Sequence, residues 1–154
     1  MSLAQAEIWL KIGAGIVAAV VAVLAFVQYK SNVRTRRAEW LLSLYERFYE
    51  RSTFHEIRKI LDSPPHPSLE YQRLESDIAA GTDGPHVEAL NNYLNFFEFV
   101  AVLQKRGALT QGEILDLFDY YLQNLSRNPS LLKYIRAQGF EGLAKLLDAL
   151  EGSR

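Results

Sequence analysis

The stretch IGAGIVAAVVAVLAFVQY, from Ile12 to Tyr29, decides the reading of the whole chain: eighteen residues pass without a charge. At a helical rise of 1.5 Å per residue the run is about 27 Å long, close to the ~30 Å hydrocarbon core of a bilayer. Ile8, Trp9 and Leu10 extend it on one side, and Lys11 is long enough to snorkel to the interface. Trp9 and Tyr29 stand where interfacial aromatics belong. The run therefore predicts a transmembrane helix. A cleaved signal peptide would want a basic leading region and a small-x-small cleavage site. Here the segment before Lys11 carries only Glu7, and Ala25-Phe-Val27 is a poor site. A buried helix of a soluble core seldom lacks polar residues over such a length.

Charge fixes the direction. Residues 1–37 hold Lys11, Lys30, Arg34, Arg36 and Arg37 against Glu7 alone, a net +4. The remaining twelve basic and seventeen acidic residues leave residues 38–154 at −5. Basic residues close behind an apolar span favour the cytoplasmic side. The expectation is a single-pass protein of the inner (cytoplasmic) membrane, with the N-terminus outside and the C-terminal domain in the cytoplasm. Lys30, Arg34, Arg36 and Arg37 are then placed at the membrane surface, where anionic headgroups attract them by roughly 1 kcal/mol each. Ala14, Ala18 and Ala22, flanked by Gly15 and Ala19, form a small-residue ladder. Such ladders let membrane helices approach closely, and this one offers a face for a homodimer through the helix.

Outward from the span, the chain reads as helix after helix. No Gly or Pro falls between Gly15 and Pro64, so the first helix can continue past the membrane. Trp40, Leu41, Leu44, Tyr45 and Phe48 then form a stripe at helical spacing that should dock on the domain. Thr53-Phe-His-Glu56 has the form of a capping box opening a short helix to Leu61. Ser63-Pro-Pro-His-Pro67 is a breaker, a polar helix follows over 69–80, and Gly81 ends it. The strongest core candidate runs from His86 to Arg106, apolar on most sides and closed by Gly107. Thr110-Gln-Gly-Glu113 is a second capping box, Asn128-Pro129 opens another helix, and Leu143, Leu146, Leu147 and Leu150 mark the last. The fold class is all-α. Residues 1–37 form the membrane helix with its basic segment, and residues 38–154 form a compact cytoplasmic bundle of five to seven helices.

Motifs for chemistry are sparse. Without cysteine, the chain has no disulfides, thiolate metal sites or cysteine nucleophiles. His55-Glu-Ile-Arg-Lys59 departs from a zinc-protease helix at its last ligand, where an ammonium cannot bind zinc. His55, His66 and His86 share no metal-ligand spacing, and no cofactor or metal is expected. Glu113, Asp116 and Asp119 recur along one helix flank, as a solvated face does. The acidic body argues against nucleic acid as a partner. The most unusual stretch is Asn91-Asn-Tyr-Leu-Asn95-Phe-Phe-Glu98, which sets Asn91, Asn95 and Glu98 on one face of an apolar helix. Such groups must be hydrogen-bonded or exposed. In a structural network the expected partner is Arg58 or a tyrosine such as Tyr45 or Tyr120. Read instead as a contact for a ligand or protein partner, the site comprises Asn91, Asn95, Glu98, Asp116 and Tyr120.

These residues also carry a resemblance. The run Arg36-Arg-Ala-Glu-Trp-Leu-Leu-Ser-Leu-Tyr-Glu-Arg-Phe48, the segment Leu94-Asn-Phe-Phe-Glu-Phe-Val-Ala101, then Lys105-Arg-Gly-Ala-Leu109 and Ile114-Leu-Asp-Leu-Phe118 resemble an uncharacterised bacterial family of membrane-anchored helical proteins, a domain of unknown function. The likeness covers about half the chain and does not extend to residues 63–67 or beyond Ser126. It implies a bacterial origin and an all-α cytoplasmic domain, and it implies no activity. The functional expectation is a membrane-tethered, non-enzymatic helical module that binds a protein partner at the cytoplasmic face. The alternative is a small-ligand or nucleotide sensor with a polar pocket near Asn95 and Glu98.

Overall fold

The computed structural model describes residues 3–62 and 68–152, with the side chains of residues 3–20, Arg34, Thr53 and Glu151 excepted. Among the described residues all regular structure is helical: α1 (Leu3–Glu50), α2 (Ser52–Leu61), α3 (Leu69–Ala80), α4 (Pro85–Lys105), α5 (Gln111–Ser126), α6 (Pro129–Ala137) and α7 (Glu141–Glu151). The expected all-α bundle is therefore present. The chain divides into two compact units, residues 1–44 and 45–154.

In the first unit, α1 is unbroken, as the absence of helix breakers requires. Its side chains from Val21 to Val33 are exposed, large apolar ones included: Val23 is 62% and Phe26 59% accessible. Lys30 lays its ammonium over the Phe26 ring, 5.2 Å from the centroid. Among the described residues no helix is long and apolar enough to cross a membrane. The run expected to do so begins at Ile12, and its side chains before Val21 lie outside the described residues, as does the small-residue ladder apart from Ala22. Ser63–Pro67, the expected breaker, lies outside them as well.

The second unit is organised around α4, which packs against α2, α3 and α7. Val87, Leu90, Tyr93, Leu94, Phe97 and Val100 are buried on it, which agrees with a helix apolar on most sides. The last turns of α1 belong to this unit and carry its hub. Phe48 is fully buried, with ring centroids of Phe54, Tyr93, Phe96, Phe97, Phe118 and Tyr121 all within 5.8 Å. Offset and edge-on aromatic pairs of this kind add about 0.5–1.5 kcal/mol each to their area burial. Of the expected docking stripe, Leu44 and Phe48 are buried and Leu41 half-buried, whereas Trp40 and Tyr45 are exposed.

Caps set the boundaries. Thr110 and Glu113 form the expected capping box of α5, and Asn128 accepts from the Leu131 amide ahead of Pro129. Gly81, Gly107 and Gly139 take positive φ where α3, α4 and α6 end. The box read at Thr53 is a correction: the cap position falls two residues earlier, at Arg51, which is extended and gives no side-chain bond, and α2 starts at Ser52. The chain turns there because α1 ends at Glu50, so Thr53 falls inside the first turn rather than ahead of it.

Candidate functional site

The polar face of α4 resolves into three different environments. Asn95 is exposed. Asn91 is half-buried and accepts a hydrogen bond from the Tyr134 hydroxyl of α6 at 2.9 Å. Glu98, also half-buried, points its carboxylate at the start of α7. One oxygen accepts from the Gly142 amide at 3.0 Å and the other from the Leu143 amide at 2.7 Å. These are orphan donors of the first turn of α7. The residue at the cap position of α7, Phe140, has no acceptor to offer them. Glu98 thus caps a helix forty-odd residues away in sequence, and the anion also faces the positive end of the helix dipole. Gly142 makes the approach possible: a Cβ there would stand 2.6 Å from a Glu98 oxygen.

The expected partners lie elsewhere. Arg58 is, among the described residues, the one buried charged side chain, 7% accessible. Its Nε donates to the Phe54 carbonyl and one Nη to the Tyr49 carbonyl near the end of α1. The guanidinium packs on the rings of Tyr49, Phe48 and Tyr121 at 4.8, 5.0 and 5.9 Å, and its other Nη makes no hydrogen bond. Arg58 therefore closes the α1–α2 corner rather than neutralising Glu98. Tyr45 pairs with Tyr49, ring centroids 4.1 Å apart, and burial together with the neighbouring Tyr121 hydroxyl raises the Tyr49 phenol above its ordinary range. Asp116 and Tyr120 are exposed one turn apart on α5. Asn95 and Phe99, also one turn apart and both exposed, repeat that pairing on α4. On the acidic flank, Glu113 is engaged in its capping box and Asp119 accepts from Gln123 at 2.6 Å. Lys30, Arg36 and Arg37 are exposed on α1, and the Arg34 side chain lies outside the described residues.

Two clefts stand out among the described residues of this unit. One, of about 390 Å³, lies between α3 and α6. The other, of about 550 Å³, is open and lined by Asp83, Gly84, Pro85, Glu88, Asn91 and Asn92. Neither is lined by Asn95 or Glu98.

The fold and these contacts define an all-helical domain whose buried polar groups are spent on holding helices together. Residues 12–125 match the family described as a domain of unknown function (DUF4760), and the chain belongs to that family. The match begins with the apolar run at Ile12, crosses residues 63–67 and ends in α5, so it reaches further than the motifs that carry the resemblance. Comparison with curated proteins and with solved structures finds no match.

Proposed function

We propose that this protein is a membrane-tethered, non-enzymatic interaction module, held by α1 at the cytoplasmic face of the inner membrane with its second unit presented to a protein partner. The observation that carries the reading is the exposed apolar run on α1. Val21, Val23, Leu24, Phe26, Val27 and Tyr29 are each more than half accessible. Contiguous exposed hydrophobes ask for a lipid or protein cover. Eighteen uncharged residues followed by Lys30, Arg34, Arg36 and Arg37 match lipid better than protein, with the cationic end inside. The family match starts at Ile12, so the run is part of the family's domain. For the partner, the exposed aromatics Phe99 on α4 and Tyr120 on α5, beside Asn95 and Asp116, are of the residue types enriched at protein interfaces. The sensor reading has less support, since both Glu98 oxygens are engaged by α7.

The test is a bacterial topology reporter. Alkaline phosphatase fused after Arg154 should be inactive and a fluorescent protein fused there bright. A photo-crosslinker at Phe99 or Tyr120 should trap a protein in vivo. Phosphatase activity from the first fusion overturns the orientation, and a clean crosslinking lane at both positions overturns the contact surface.

A further inference from the structure

We draw no further inference here: the strongest candidate, the buried side-chain cluster around Arg58 at the α1–α2 corner, leaves one Nη without a hydrogen bond but lines neither cleft and already has its charge met by the rings of Tyr49, Phe48 and Tyr121, so nothing there points to a ligand.

Discussion

Val21–Val27 of α1 and Tyr93–Val100 of α4 both read as runs of large apolar side chains, yet they end in opposite surroundings. Val21 is 58% and Val27 58% accessible, whereas Tyr93 is 1% accessible and Leu94, Phe97 and Val100 are fully buried, with Phe99 the exposed apolar side chain of that run. Hydrophobicity alone does not separate them, because the drive to leave water has no direction. The difference lies in the polar groups. On α4, Asn91 is answered by Tyr134 and Glu98 by the first turn of α7, so the helix carries instructions about which protein neighbours must stand beside it. The run from Ile12 to Val27 has no polar side chain at all. Nothing on it asks for a particular protein neighbour, and a fluid apolar solvent satisfies it equally from every side.

The sharpest way to break this contrast is to truncate one large side chain in each region and follow unfolding of the full chain in micelles. Phe48→Ala removes the hub of the aromatic core and should cost about 3–5 kcal/mol. Leu24→Ala, at a position 57% accessible, should change the stability of the bundle by less than about 0.5 kcal/mol. Comparable losses at the two sites would mean that α1 is packed on protein after all.

Glu98 probes the polar half of the contrast. Glu98→Ala leaves the amides of Gly142 and Leu143 without their acceptor and should cost about 1–3 kcal/mol, several degrees in melting temperature. Glu98→Gln keeps an acceptor and should cost less. An unchanged melting temperature for Glu98→Ala would overturn the structural role.

Tyr93 gives a pH test. Burial, with a smaller push from the Asp62 charge, holds its phenol neutral well above the ordinary tyrosine range. The group ionises more readily in the unfolded chain. Its contribution is therefore fully present below about pH 10 and is lost as pH rises through the folded-state value. Stability should fall above about pH 10 with a limiting slope from this one proton of about 1.4 kcal/mol per pH unit. Tyr93→Phe should shallow that slope, and an identical alkaline profile would assign the loss to other groups.

The smallest effect is the most specific. In an ordinary helix Gly→Ala stabilises by roughly 0.5–1 kcal/mol. Gly142→Ala should instead destabilise, because the new methyl displaces the Glu98 carboxylate. In the Glu98→Ala background the same change should become neutral or stabilising. Simple additivity of the two substitutions would show that the side chains do not interact.

Much of the architecture was legible from local rules. The capping box at Thr110, the Asn128-Pro129 start, the glycine stops and the centrality of α4 all depend on residues within a turn or two of each other. The candidate site was legible only in part. The oddity of Asn91 and Glu98 in an apolar helix could be read, but their partners could not, because those partners are backbone amides and a tyrosine more than forty residues away. One signal was available: the last helix begins at Phe140-Glu-Gly142 with no Ser, Thr, Asp or Asn to cap it, so an acceptor had to come from elsewhere. Arg58 was misplaced for a related reason. Its acceptors are carbonyls at a helix corner, and the corner itself was displaced by two residues in the reading of Thr53.

Alkaline carbonate extraction of bacterial membranes tests the central contrast most directly. The full chain should remain in the membrane pellet, and a chain beginning at Arg37 should be released as a helical, cooperatively melting protein. Release of the full chain by carbonate would contradict the account, since the exposed run on α1 would then require a protein cover and not a lipid one.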